Sequence, residues 1–294
     1  MISPSFFQTT LWFEVLNEGF GAHSHLINNS LAVTFFRAGP LCVTYANFPV
    51  GIRSPDVFET IMGYQTQQLL KDMGTDLLRF SVPGPIAREH FGKGIHLPET
   101  SIQSLSDWTE ENLDGDVRYE IRRSRREGIK IRPAYNSDAY FMFTLYRDTV
   151  KRHEGRIRYT HSYFEAICKL SQSVPDISGL IAETAEGIPC GFIVTAQSGK
   201  VTYYLHAGFD HKYASRRPSY ALLCQAITQA RDNGSCCFNL MASPTGQAEL
   251  VRFKEKWRGH TQPLVNFDIP VSKVGHIARL GLLAFQYLSS SRQG

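Results

Sequence analysis

Between residues 180 and 257 apolar runs and turn signals alternate in an order that restricts the fold sharply. Three short apolar segments, 180–183, 190–195 and 201–206, are separated by Ala185-Glu186-Gly187 and Gln197-Ser198-Gly199-Lys200. Both connectors suit hairpins, so the segments read as an antiparallel meander. A polar loop over 210–217 leads to a helix predicted over 218–233, where Pro218 is tolerated because an N–H in the first turn has no partner anyway. Asn233-Gly234 ends that helix, and 236–240 returns as a buried strand. The stretch NLMASPTGQAELVRFKEKW (239–257) adds a Ser/Pro/Thr/Gly turn and a helix carrying Phe253-Lys254 near its end. The resulting β-β-β-α-β-α-β order makes this half an α+β domain.

The first half follows a looser version of the same plan. A helix is expected over 6–16, with Thr9 or Thr10 as its cap. Strands follow at 30–36 and 41–46, joined by Arg37-Ala38-Gly39-Pro40. Residues 57–73 have helical spacing (Phe58, Ile61, Met62, Leu69, Leu70), Gly74 stops them, and 76–82 reads as a strand. The pattern breaks over 83–105, which holds Pro83, Gly84, Pro85, Gly92, Gly94 and Pro98. A charged helix or two then runs to Gly128, and 138–152 and 162–170 are helical. Both halves run strands, helix, strand, which points to a duplicated domain. The expected division is an N-terminal domain over 1–104, a basic connecting helix over 105–132, a C-terminal domain over 133–270 and a last helix over 271–294.

Composition narrows the setting. With 294 residues, 43% hydrophobic and 20% charged, the chain is an ordinary soluble protein of one large or two average domains. Six cysteines without a CxxC pair read as reduced thiols in a cytosolic compartment, with no disulfide framework and no metal site. Residues 1–16 lack the basic and apolar regions of a secretion signal, and no run of about 18 apolar residues would span a membrane. Residues 118–132 hold seven Arg/Lys and two Glu, so this block carries +5 of the net +4 and leaves the rest at −1. Such a face is suited to a tRNA or to anionic membrane head groups, at the periphery of the inner membrane face. It is equally the composition of a solvated connecting helix.

Taken in order, several segments resemble the Fem-type branch of the GNAT acyltransferase superfamily. They are FFQTTLW (6–12), DVRYEIRRSRREGIKI (116–131), LYRDTVKRHEGRIR (145–158), YYLHAGFDHKYASRRPSYALL (203–223) and LVRFKEKW (250–257). The resemblance implies two GNAT-like domains, each a mixed, largely antiparallel sheet flanked by helices. It also implies transfer of an acyl or aminoacyl group to an amine of a cell-envelope or polysaccharide precursor. DHKYASRRP stands where coenzyme-A-using members carry Q/R-x-x-G-x-G/A, and the helical hairpin of tRNA-using members has no counterpart. The donor is therefore left as acyl-CoA or aminoacyl-tRNA. An acyl-CoA-dependent N-acyltransferase on a small molecule and a non-catalytic binding module are the alternatives.

Acyl transfer to an amine needs proton removal, a stabilised oxyanion and alignment, the last worth roughly 7–11 kcal/mol. A fixed cation at the oxyanion contributes about 3–4 kcal/mol. No covalent nucleophile is required. The resemblance puts Lys254, with Phe253, at the donor site; the alternative is a lysine on a solvated helix face. Arg152 and Arg158 end a helix in KRHEGRIRY, where the resemblance places the acceptor; planar guanidiniums suit its phosphates, and cations also suit a helix C-terminus. Arg216 and Arg217 precede the helix at Pro218, a place suited to donor phosphate. Strand alternation puts Tyr204 and His206 on one face, with His206 as a general base or a structural histidine. Asn239 and Ser243 are placed to bond a ligand at a strand end, and Ser243 equally to cap a helix. The apolar stretch 274–288, with Lys273, Arg279 and Arg292 around it, is a packed helix or an interfacial anchor.

Overall fold

A computed structural model of the chain describes residues 5–87, 90, 94–152 and 156–290, with 282–290 described by backbone alone. Gly92, residues 153–155 and Arg292, all used above, lie outside the described residues. The chain opens with α1 (Thr10–Phe20), β1 (His23–Ile27), β2 (Leu31–Ala38), β3 (Leu41–Ala46), α2 (Pro55–Met62), α3 (Tyr64–Asp72), β4 (Leu77–Pro83), α4 (Gly84–Ala87) and β5 (Ile95–Ile102). It continues through α5 (Gly115–Arg126), β6 (Lys130–Pro133), α6 (Ala139–Arg152), α7 (His161–Ser171), β7 (Ile177–Glu183), β8 (Pro189–Ser198) and β9 (Val201–Phe209). It closes with α8 (Pro218–Asp232), β10 (Cys237–Ala242), α9 (Ala248–Glu255), β11 (His260–Pro270) and α10 (Lys273–Ser290). Among the described residues no helix is long and apolar enough to cross a membrane.

Two compact units result. Unit 1 comprises Met1–Phe20 with Pro98–Thr261, and unit 2 comprises Gly21–Leu97 with Gln262–Gly294. The expected contiguous boundaries differ from this division because the chain crosses between units. The strand after α4, β5, counts mainly with unit 1, and the strand after α9, β11, counts mainly with unit 2. The predicted connecting helix is corrected likewise. It is α5 followed by β6, and both belong to the body of unit 1. Val117 and Ile121 of α5 are buried in one core with Leu222 and Ile227 of α8.

Each unit repeats one plan. In unit 2, β1, β2 and β3 form an antiparallel meander, and β4 returns through α2 and α3 to lie parallel to β3. In unit 1, β7, β8 and β9 form the meander, and β10 returns through α8 to lie parallel to β9. The helical return is what a parallel neighbour requires. Strand β8 reads as one apolar run because it is buried from Cys190 to Ala196; both its faces are covered. Helix α8 turns Leu222, Leu223, Ala226, Ile227 and Ala230 inward, the apolar stripe of a surface helix. Part of the basic block is paired locally. Arg125 chelates Glu110 at 2.9 and 2.7 Å, and Arg132 bonds Asp138 and Glu183.

Candidate functional site

The site begins with two irregularities in unit 1. The parallel pairing of β9 and β10 runs only from Val201↔Cys237 to Tyr203↔Asn239. Beyond that point β9 continues beside β8, while β10 follows β5 on its other side, pairing Asn239 with Ser101 and Ala242 with Glu99. The two strands therefore part and leave a gap in the sheet. The divergence is pinned. Met241 holds a left-handed φ of 61°, its N–H donates to Asn239 Oδ1 at 2.7 Å, and its carbonyl accepts from Lys254 Nζ at 2.9 Å.

The second irregularity is a bulge in β9. Val194 pairs with His206, but Thr195 pairs with Tyr204, so Leu205 is the extra residue. A bulge of this kind reverses the side-chain parity beyond it. Tyr204 and His206 consequently lie on opposite faces, which corrects the expectation that alternation pairs them. Tyr204 joins the core beneath α8, with Ala207, Tyr220 and Phe253. His206 faces α6 and α7, ringed by Tyr146, Tyr159, Tyr163 and Phe164, with its Nε2 at 2.9 Å from the Tyr163 hydroxyl.

A cavity of about 770 Å³ opens at the gap, within the range of small-molecule sites. Its lining comes from both faces of the sheet. Tyr146, Thr149 and Arg152 of α6 contribute on one side, with Arg156 and Arg158 just after it. Leu222 and Leu223 of α8 and Leu250 and Phe253 of α9 contribute on the other. Only an interrupted sheet lets one cavity reach both faces. Tyr204 lines it, and burial pushes its phenol up to about 12.

Of the predicted site residues, the cavity thus brings together Arg152, Arg158, Tyr204 and Phe253. Arg152 also contacts the His211 ring, which stacks on Phe209 of the cavity wall. Lys254 is 6% exposed and turns from the cavity wall to the Met241 carbonyl. Burial pulls its pKa down to about 8, partly offset by the Glu99 carboxylate. Asn239 is buried beside it and shapes the same turn. Ser243 does not cap α9, whose N-cap is Gln247. Its backbone N–H donates to the Pro98 carbonyl at 2.8 Å, and its buried hydroxyl has no partner among the described residues.

The arginine pair before α8 does not line the cavity. Arg217 Nε donates to Glu120 at 2.8 Å, and Arg216 meets Glu186 at 3.4 Å. The first turn of α8 offers few donors, because Pro218 has no N–H and the Tyr220 and Ala221 N–H groups turn back to the Arg217 carbonyl. Sequence reasoning missed Arg156, Tyr146 and Ser219, which line the cavity. Tyr146 has a second task. Its hydroxyl accepts the backbone N–H groups of Arg158 and Tyr159 at 2.9 and 3.3 Å, fixing the segment that carries the arginines.

His206 gives a pH prediction. Burial among aromatic rings lowers its pKa from 6.5 to about 3, so the folded protein holds it neutral. Between those values the unfolded chain binds a proton that the folded chain refuses, and stability falls with falling pH. Chemical denaturation of a His206→Phe variant should show a shallower loss of stability than the wild type from pH 6.5 towards pH 4. An identical acid slope would contradict the assignment.

These features can be set against known proteins. Residues 114–255 match the acetyltransferase (GNAT) domain family. The fold matches that of FemX over 90% of this chain and 92% of that one, at a TM-score of 0.63 and 12% identity. Residues 114–255 thus carry a GNAT domain, within a chain whose fold is like that of FemX. The same GNAT fold matches L-PGS from Bacillus licheniformis, with a TM-score of 0.60, 13% identity and coverage of 89% and 87%. It also matches the C-terminal domain of a putative lysylphosphatidylglycerol synthetase from Agrobacterium fabrum, with a TM-score of 0.56, 13% identity and coverage of 88% and 87%. No curated protein matches the sequence. The GNAT segment contains the parted strands, the bulge and all the cavity residues named above.

Proposed function

We propose that this protein transfers an acyl or aminoacyl group from acyl-CoA or aminoacyl-tRNA to an amine of a cell-envelope or polysaccharide precursor. The observation that carries this reading is the cavity through the parted β9 and β10, with guanidiniums on one face and apolar helices on the other. Two reactants entering from opposite faces meet in the gap, which supplies the alignment such a reaction needs. The amine nitrogen attacks the acyl carbon directly, the bond from that carbon to the carrier breaks, and one amine proton ends on the released carrier atom.

Arg152 and Arg158 hold the anionic acceptor, and Tyr204 and His206 remain the candidates for proton transfer and its support. Lys254 and Asn239 hold the open end of β10, where the Lys254 ammonium also steadies donor charge, with Phe253 and Ser243 beside it. Arg216 and Arg217 take donor phosphate by exchanging Glu186 and Glu120 for it. The likeness to a lysylphosphatidylglycerol synthetase supports an envelope acceptor and a place at the inner membrane face. The basic residues of 118–132 are the proposed contact with tRNA or anionic lipid.

Thermal denaturation with acyl-CoA and, separately, with aminoacyl-tRNA tests the donor. Saturation at a hundredfold over Kd should stabilise the folded state by about 2.7 kcal/mol. Stabilisation by acyl-CoA alone selects the coenzyme-A-dependent alternative. No stabilisation by either, with cellular function retained in Lys254→Ala, would favour a non-catalytic binding module.

A further inference from the structure

The cavity distributes its charge unequally. Arg152, Arg156 and Arg158 are its cationic lining, and none of its described lining residues is Asp or Glu. The opposite end is walled by Leu222, Leu223, Leu250 and Phe253, with Ile193 and Ala207 on the intervening strands. An aminoacyl group carries an α-ammonium at neutral pH. In this cavity that ammonium would face three like charges and an apolar wall, with no carboxylate among the described lining residues to replace the water it gives up. A hydrocarbon acyl group meets neither penalty, and each methylene it buries adds about fourfold in affinity.

Resting on the reading of this cavity as the place of transfer, we propose that the transferred group is an uncharged hydrocarbon acyl chain, seated against α8 and α9. The arginines at the other end then hold the anionic acceptor. The step balances without an oxidant or reductant. A thioester C–S or ester C–O bond to the carrier breaks as the amide C–N bond forms, and one amine proton is left on the released thiol or hydroxyl.

The geometry also names the residue that limits chain length. Ala207 pairs with Ile193 across the strands and joins the cluster beneath α8, so a larger side chain there grows into the apolar end. The neighbouring Gly208 is already crowded, since a Cβ on it would stand 3.0 Å from the Phe192 ring. Chain length is therefore set from Ala207 and Leu250 rather than from Gly208.

Calorimetric titration with a matched pair, 4-methylpentanoate and leucine, isolates the α-ammonium on one carbon skeleton. A second series from butanoate to dodecanoate reads chain length. The expected result is 4-methylpentanoate binding at least tenfold tighter than leucine, with affinity rising along the series. Ala207→Trp should remove that rise, so that dodecanoate binds no tighter than butanoate. If Ala207→Trp does not fold, Leu250→Trp reports the same wall from α9. Leucine binding as tightly as 4-methylpentanoate would overturn this inference and leave the transfer site standing. Failure of every carboxylate to bind would overturn the cavity assignment itself.

Discussion

A Lys254→Met variant should be at least as stable as the wild type at neutral pH and should lose transfer activity. Lys254 is 6% exposed, and burial lowers its pKa from 10.5 to about 8. Held charged at pH 7, it opposes folding by about 3 kcal/mol, as order of magnitude. Its bond to the Met241 carbonyl returns roughly 1.5–3 kcal/mol, and methionine keeps the apolar stem. The two terms nearly cancel, so removal is neutral to stabilising.

The pH dependence has a definite direction. Below pH 8 both states of the wild type are protonated and the whole penalty is present. From pH 8 to 10.5 the unfolded chain holds the proton and the folded chain has released it, so wild-type stability rises. The advantage of the variant should therefore shrink between pH 7 and pH 10 in urea unfolding. Its activity should fall about a hundredfold or more, the scale of losing one fixed donor near a reacting centre. The Met241 turn that parts β10 from β9 also loses its clamp. A variant that is less stable at pH 7 and still active would contradict both parts.

The second large effect concerns the arginines of the cavity. Replacing Arg152 and Arg158 together by glutamine removes two charges and the guanidinium forks but keeps a polar, hydrogen-bonding amide on a shorter side chain. A hydrogen bond to a charged group is worth roughly 1.5–3 kcal/mol, so affinity for inorganic pyrophosphate should drop about a hundredfold or more. The melting temperature should hardly move, because neither arginine is part of the core. Arg126→Gln is the control. Arg126 lies over the Tyr119 ring on α5 and does not line the cavity, so binding should be unchanged. Equal losses in both variants would mean that pyrophosphate responds to overall charge and not to this site.

Elements with a clear apolar pattern were legible in the sequence. Strand β3 falls at the expected residues, and β8, β9, α8 and α10 agree within a few positions. The elements that escaped lack such a pattern for physical reasons. Strand β1 (HSHLI) is polar and mostly exposed. Strand β5 carries Pro98 and buries Glu99; β11 was expected only as the closing strand of the order, without residues, and carries Pro263. The single helix expected over 57–73 is two, because Gly63 adopts extended backbone at ψ 140° between α2 and α3.

At the site, Arg152 and Arg158 were readable as charge at a helix end, and Phe253 entered only through the resemblance. Arg156 was overlooked beside them, and the role of Tyr146 depends on a backbone it meets twelve residues later. Nothing in YYLHAG marks Leu205 as the unpaired residue. Register slips of that kind are fixed by packing on both sides of the strand.

Leu205 matters through counting rather than through its own chemistry. Deleting it would make the phenol and the imidazole neighbours on a regular strand, where ordinary alternation still sends them to opposite faces. Ironing the bulge out with Leu205 kept in the ladder would instead bring both rings to one face. What separates the two compartments is therefore that this position stays unpaired, whatever side chain it carries.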